Sequence, residues 1–356
     1  MRSGNISLDS PVKDIEEVLK GILSEGLGEK PVNIEKFPAS VNSIAYKIMT
    51  ENNMEYIAKK YLSREGDKRD RLETEFSGLS FLWENGVRNI PEPVLSSSEY
   101  QIGVYSYIKG IKLKSDEITT DDIQMASDFL SRLHSLADVE NADKQPVASE
   151  ACFSIRAYID CVEGRLSNLR NITVQNELSE MLSEYLDKDF SELFEEVKQF
   201  IKEQAFLLNI DIDRELSKEE KTLSPSDFGF HNAIRAEDGK LYFIDFEYYG
   251  WDDPAKLIND FYLQPAVPLP NTYREKFFEE MQRSKIADIN LENRLPFVYL
   301  LLALKWCLIM LNVFLGSGDS GKYDEKICFQ QLEKAKEKLR VTRHEFKNRA
   351  FPLSLN

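Results

Sequence analysis

The sequence predicts an α+β protein: a small antiparallel sheet with one helix across it, followed by a larger, mainly helical part. Three observations carry this. Residues 43–62 hold two strand-like runs joined by a polar turn. Residues 69–86 repeat apolar residues at helical spacing. From Asp116 onward helical patterns dominate, broken by a strand–turn–strand pattern at 224–249.

The elements follow in order. Asp9 and Ser10 before Pro11 read as a helix start, with proline in the first turn; the helix runs through DIEEVLKGIL and GLG stops it. SIAYKIM (43–49) and EYIAKKYL (55–62) read as strands joined by TENN. Side chains alternate along a strand, so Ile57, Lys59 and Tyr61 share one face. In RDRLETEFSGLSFLWENG the apolar stripe is Leu72, Phe76, Leu79 and Leu82, and Asn85-Gly86 ends the helix. IPEPVLSS and YQIGVYSYI read as further strands, closing at Lys109-Gly110, so the sheet region is 31–110.

Beyond it, ITTDDIQMASDFLSRLHSLA and residues 153–168, 176–187 and 189–208 read as helices. NAIRA and KLYFIDF flank Glu237-Asp238-Gly239, a hairpin signal. After residue 271 the pattern is helical again, ending in QQLEKAKEKLRVTRHEF, read as a solvated helix face. PFVYLLLALKWCLIMLNVFL (296–315) is near the length of a membrane span, but Lys305 sits in its middle, close to Trp306 and Asn312. A buried helix is expected there, and no membrane span.

Composition narrows the partners. The chain has 356 residues, 42% hydrophobic and 30% charged, with a net charge of −16. That excess of acid argues against nucleic acid as a partner, because neutralising phosphates takes a Lys/Arg surplus. Residues 1–110 hold 14 Lys/Arg against 17 Asp/Glu, so most of the negative charge lies in the helical part. Four cysteines with no CxxC pair, and three histidines, speak against structural zinc. Free thiols and an amino end without an apolar targeting run lead to the expectation of a cytoplasmic protein.

The chemistry is concentrated in SPSDFGFHN (224–232) and LYFIDFEYYG (241–250). Phosphoryl transfer needs a group that takes or orients the attacking hydroxyl, hard oxygen ligands for Mg²⁺, and a cation on the phosphates. Asp227, then Asn232 five residues on, then a strand leading to Asp245, is the spacing kinases use for base and metal ligands. The hairpin between Asn232 and Asp245 would bring them back together. Lys59 on a strand and Glu75 on the following helix match the pair that positions ATP. The neighbours Lys60 and Glu73 are the alternatives, and strand alternation favours Lys59.

Here SPSDFGFHNAI…LYFIDFEYYGWDDPA resembles the aminoglycoside phosphotransferase and choline kinase-like family, small-molecule kinases of the protein-kinase-like fold. YIAKKYL, RLETEFSGLSFLWENGVRNIPEPVL, VYSYIKG and SDFLSRLHSL resemble the same family in the same order, over roughly residues 33–265. The resemblance implies a two-lobed fold. Residues 1–105 would be the nucleotide-binding lobe, with 1–30 a helical extension, and 106–110 the hinge. Residues 111–356 would be the helical lobe, with the catalytic loop and metal site at 224–249 and acceptor-binding helices at 150–222.

It further implies that Asp227 is the base, that Asn232 and Asp245 ligate Mg²⁺, and that Lys59, held by Glu75, contacts the phosphates of ATP or GTP. The backbone of Ser106 and Ile108 would meet the nucleobase, and Ser40 and Asn42 of PASVNS (38–43) would cover the phosphates. Glu247 is a candidate for a second Mg²⁺. The chain departs from the pattern at three places: Pro225 replaces a frequent histidine, the phosphate loop has no glycine, and Asp-Pro-x-x-Asp becomes Asp253-Pro254-Ala255-Lys256-Leu257 with Asp260 beyond.

The expected activity is transfer of a γ-phosphate to a hydroxyl of a small molecule: an amino alcohol, a sugar or an aminoglycoside-like compound. The alternative is a non-catalytic nucleotide-binding module on the same fold; the presence of Asp227, Asn232 and Asp245 favours the enzyme. Tyr248, Tyr249 and Trp251 could face a cationic acceptor or a sugar ring, or pack in the core. His134 is expected in the core, and His231 carries no assigned chemistry.

Overall fold

The computed structural model describes residues 14–40, 42–63, 69–172, 176–284, 286, 289–315 and 324–350. The helix start expected at Asp9, Ser10 and Pro11 lies outside these residues, as does Val41 of the phosphate loop. The described chain clusters into two units. One holds the residues up to Gly110 together with Tyr242–Glu247; the other holds Ile111–Leu241 and the residues from Tyr248 onward. Tyr242–Glu247, expected with the helical part, thus cluster with the sheet.

The first unit is built on five strands, β1 (Pro31–Lys36), β2 (Ser43–Thr50), β3 (Glu55–Tyr61), β4 (Pro93–Ser97) and β5 (Ile102–Ser106). Their order is β1-β2-β3-β5-β4, with antiparallel neighbours. The two faces have different tasks. Tyr46, Ile48, Tyr56, Ala58, Ile102 and Val104 point to one side, where Val18, Leu19 and Leu23 of α1 (Ile15–Leu27) seal them into a core. Asp14 caps that helix through the Glu16 N–H, and Gly28 at φ 68° stops it. On the other side lies α2 (Arg71–Glu84), capped by Asp70 through the Glu73 N–H, with Leu72, Glu75, Leu79 and Leu82 buried. Of the expected stripe Leu72, Phe76, Leu79 and Leu82, Phe76 is only half-buried, and an acid, Glu75, is buried with the leucines.

The second unit has the short strands β6 (Gly110–Lys112), which it shares with the first unit's last residue, β7 (Thr222–Ser224), β8 (Ala233–Ala236) and β10 (Gly250–Asp252). β9 (Leu241–Phe243) follows β8 through a turn closed by the Ala236 N–H on the Lys240 carbonyl at 2.9 Å, where the Asp-Gly signal placed it. The helices are α3 (Thr120–Ser135), α4 (Ile155–Arg170), α5 (Glu177–Glu184), α6 (Ser191–Leu207), α7 (Pro254–Leu263), α8 (Asn271–Arg283), α9 (Ile289–Ile309) and α10 (Glu325–Lys347). A π-helical turn at Tyr185–Phe190 joins α5 to α6, so the two expected helices run together.

α9 is the axis of this unit. It packs against α4, α6, α7 and α10, and Phe297–Leu304 is fully sealed. Among the described residues it marks the one stretch, Asn290–Phe314, long and apolar enough to cross a membrane, and 72% of its apolar window is buried in the protein. Lys305, the residue that spoke against a span, is buried and paired with Glu150 at 2.8 Å. Arg165 reaches the same carboxylate.

Candidate active site

In the first unit β3 supplies the cation. Lys59 pairs in register with Gly103, on the sheet face opposite the α1 core. Its Nζ lies 2.6 Å from Glu75 Oε2, 2.5 Å from Asp245 Oδ1 and 3.8 Å from Glu247 Oε2. The neighbouring alternatives are elsewhere: Lys60 Nζ reaches only the Tyr100 carbonyl at 3.5 Å, and Glu73 is exposed. Burial alone would push the Lys59 ammonium's pKa down; the carboxylates of Asp245, Glu75 and Glu247 outweigh it and hold the pKa well above the usual lysine value.

Glu75 is held in turn. Tyr61, two residues from Lys59 on the same strand face, donates its hydroxyl to Glu75 Oε2 at 2.7 Å, and the Phe246 N–H donates to Oε1 at 3.2 Å. Tyr105 backs Tyr61 at 2.9 Å between hydroxyl oxygens. Its ring lies over Gly103, where a Cβ would come within 2.4 Å of the Tyr105 oxygen. Burial raises the Glu75 carboxyl above its ordinary range, against the opposing pull of Lys59.

Asp245 is not in a strand. β9 ends at Phe243, and Asp245 turns out of it at φ 70°, a strained angle for a residue with a Cβ. Carboxylate oxygens of Glu75, Asp245 and Glu247 all lie within 4.8 Å of one another. Hard oxygens at that spacing fit a divalent cation such as Mg²⁺.

In the glycine-free loop expected to cover phosphates, Ser40 bonds within the loop and Asn42 reaches out of it. Ser40 Oγ donates to the Ser43 carbonyl at 2.9 Å and accepts from the Ser43 N–H at 3.0 Å. The Asn42 amide donates to Glu247 Oε1 at 2.6 Å. At the hinge the Ser106 N–H is taken by the Glu92 carbonyl at 2.9 Å. The backbone groups of Ile108 have no partner among the described residues.

The second unit holds the expected Asp227 and Asn232. β7 pairs antiparallel with β10, Ser224 opposite Gly250, and the chain leaves this pair through Pro225 and Ser226 into Asp227. Phe228 and Phe230 anchor the loop. Phe228 stacks on Phe129 of α3 at 6.0 Å between ring centroids, and both Phe228 and Phe230 pack on Phe261 of α7, at 5.2 and 5.1 Å. The aromatics around Asp227 are therefore a foundation, and Asp227 stands on it with its side chain 40% exposed.

Asn232 Nδ2 donates to the Asp227 carbonyl at 3.1 Å, which leaves Oδ1 uncommitted among the described residues, as a metal ligand requires. Gln264 Nε2 and His231 Nε2 each lie 3.3 Å from Asp227 Oδ1. Gly229 gives His231 its place, since a Cβ there would come within 2.7 Å of its Nδ1. Gln264 went unnoticed in the sequence, where an isolated glutamine after a helix carries no signal. Tyr249 and Trp251 are core residues, Trp251 donating to the Ala142 carbonyl at 3.0 Å, and Tyr248 is half-buried. His134 is half-buried, and burial lowers its pKa.

With this geometry in hand, comparison with known proteins gives a family. Residues 33–256 match the phosphotransferase enzyme family. The chain belongs to that family, and with it to the small-molecule kinases. Among solved structures it is similar to spectinomycin phosphotransferase APH(9)-Ia in complex with ADP and spectinomycin, with TM-score 0.65, 14% identity, and coverage of 94% of this chain and 99% of that one. It is similar to choline kinase LicA from Streptococcus pneumoniae, with TM-score 0.57, 18% identity and coverage of 92% and 99%. Ethanolamine kinase from Plasmodium vivax gives TM-score 0.58, 15% identity and coverage of 93% and 91%. No curated protein sequence matches the chain. The expected α+β, protein-kinase-like fold, with an antiparallel sheet first and a mainly helical remainder, is the fold the chain adopts.

Proposed function

We propose that the chain transfers the γ-phosphoryl group of ATP or GTP to a hydroxyl of a small molecule, with Mg²⁺ as the metal. The observation that carries this reading is Lys59, held between Glu75 at 2.6 Å and Asp245 at 2.5 Å. A lysine so held presents a fixed cation to phosphate oxygens, and Asp245 can exchange it for a metal without leaving its turn. Solved relatives in complex with ADP, ATP or AMP-PNP support nucleotide use.

In this reading Asn232 and Asp245 hold Mg²⁺, with Glu247 as a further oxygen ligand; the ion would neutralise charge building on the phosphates. The acceptor oxygen forms its bond to the γ-phosphorus while the bond from phosphorus to the β–γ bridging oxygen breaks. The acceptor's proton passes to Asp227, and the nucleoside diphosphate leaves. Gln264 donates to the Asp227 carboxylate, and Asn232 donates to the Asp227 carbonyl. The free edge at Ile108 would receive the nucleobase, with Ser106 beside it. Ser40 shapes the loop over the phosphates and Asn42 ties it to Glu247. The acceptor is an amino alcohol, a sugar or an aminoglycoside-like compound, met by the helices at 150–222. The protein works in the cytoplasm.

The test is thermal melting with Mg²⁺ and ATP or GTP, followed by a transfer assay against choline, ethanolamine, amino sugars, spectinomycin and aminoglycosides. A ligand at 100 times its Kd adds about 2.7 kcal/mol, enough for a clear rise in Tm. The rise should need both metal and nucleotide and shrink in Asp245→Ala. Asp227→Ala should keep the rise and lose on the order of 10²- to 10⁴-fold in kcat. No rise with either nucleotide would sink the nucleotide reading, and full turnover in Asp227→Ala would sink the assignment of the base.

A further inference from the structure

Lys256 is buried, with its side chain 3% exposed. Its Nζ lies 2.8 Å from Asp252 Oδ2 and 3.3 Å from Asp260 Oδ2, four residues to either side in sequence. It also lies 2.9 Å from Ser226 Oγ and 3.4 Å from the Ser226 carbonyl. Two carboxylates already neutralise one ammonium, so charge balance does not explain the grip on Ser226. The turn that Ser226 makes does.

Ser226 sits at φ 68°, and the Asp227 N–H returns to the Pro225 carbonyl at 2.9 Å. That closes a three-residue turn with a positive φ at its apex, the rare and strained form. A serine does not hold such a turn unaided. This one is pinned from several sides. Its N–H donates to Ser224 Oγ at 2.8 Å, and its hydroxyl donates to the Ser149 carbonyl at 3.2 Å. Lys256 holds both the hydroxyl and the carbonyl. The next residue is Asp227, so the turn sets the direction in which that carboxylate leaves the chain.

We propose that Lys256 is the positioning residue for Asp227: its ammonium, neutralised by Asp252 and Asp260, locks the Ser226 turn in its left-handed form and so aims the Asp227 carboxylate. This rests on Asp227 being the base. Lys256 stands where Asp-Pro-x-x-Asp gives way to Asp253-Pro254-Ala255-Lys256-Leu257.

Lys256→Met alone leaves the buried Asp252 and the half-buried Asp260 without their cation and can fail to fold. The working variant is therefore Lys256→Met with Asp252→Asn and Asp260→Asn, which removes the charges together. Two quantities are read: phosphate release from Mg-ATP with water as acceptor, and peptide-resolved hydrogen exchange. Turnover should fall on the order of 100-fold, the effect of a misaimed catalytic group, with the nucleotide Kd unchanged. Exchange should accelerate in 224–232 and not along α9. Adding Ser226→Gly should recover turnover, because glycine adopts a positive φ without help. Unchanged turnover and exchange in the triple variant would overturn the proposal. So would a loss that Ser226→Gly does not recover, with exchange accelerated through α7 and α9, since that is a general structural role. Asp227→Ala retaining turnover would instead defeat the base assignment, while local exchange at 224–232 would still report whether Lys256 holds the turn.

Discussion

Two lysines set among acids, Lys59 in the first unit and Lys256 in the second, have the same kind of neighbours and different proposed uses. Each has carboxylates within 4 Å: Glu75, Asp245 and Glu247 around Lys59, Asp252 and Asp260 around Lys256. In both, burial works against the charge and the carboxylates overcome it, holding the pKa above the ordinary lysine value. The difference is the way out. Asp245 is 39% exposed, so the Lys59 cluster opens to a ligand that can replace a partner. Asp252 is fully buried and Asp260 only 15% exposed, so the Lys256 cluster is the more closed of the two and its ammonium is spent on the chain. Whether a lysine among acids can serve as a binding group or a strut thus follows how far its acids are exposed.

That contrast can be broken by experiment. Lys256→Met alone should cost the most, about 3–5 kcal/mol of stability, because a broken buried ion cluster leaves uncompensated charge. Urea unfolding of this variant should show it, and the triple neutral variant should recover most of the loss. Lys59→Met should cost less stability, since Asp245 can turn to solvent. Its main effect should be on nucleotide affinity, weaker by about 1.5–3 kcal/mol, the range for a hydrogen bond to a charged group, in a titration with Mg-ATP. Should Lys59→Met prove the more destabilising of the two, the division into binding group and strut is wrong.

The smallest effect concerns a third cluster, Glu150 with Lys305 and Arg165. Burial pushes the Glu150 carboxyl up, but Lys305 and Arg165 prevail and hold it down from the ordinary 4.5 to about 2. A carboxyl depressed in the folded state adds stability above its unfolded pKa and loses it as pH falls through the folded one. The wild type should therefore lose this contribution between pH 4.5 and about 2. Glu150→Gln should be less stable at neutral pH and show a flatter decline across that window, read from urea midpoints. An equally steep decline would show that Glu150 does not carry the acid sensitivity.

Much of this was legible in the one-dimensional pattern. The strand lysine, the helix glutamate and the spacing Asp227, Asn232, Asp245 stood out because each follows a local period or a fixed chemical requirement. Asp252 closes β10, while Lys256 and Asp260 lie four apart on α7, a helical spacing present in the one-dimensional pattern. It does not show Ser226, which is thirty residues away by sequence and beside Lys256 only in the fold. Gln264 and Tyr105 were silent for the same reason. Phe228 and Phe230 could have belonged to a pocket or a core, and their stacking on Phe129 and Phe261 decided for the core.

By itself, then, the sequence determined the α+β class, most of the elements, the kind of chemistry and the family, because alternation, helical spacing, caps and the Asp-Gly turn act over a few residues. Tertiary structure decided that β9 stops at Phe243 and Asp245 turns out of it, that Ser40 and Asn42 bind within their own unit, and that one lysine lies beside a half-exposed carboxylate while the other is sealed. The physical reason is that exposure and partner choice depend on which distant segments fill the space around a side chain, and packing sets that only once the whole unit has folded.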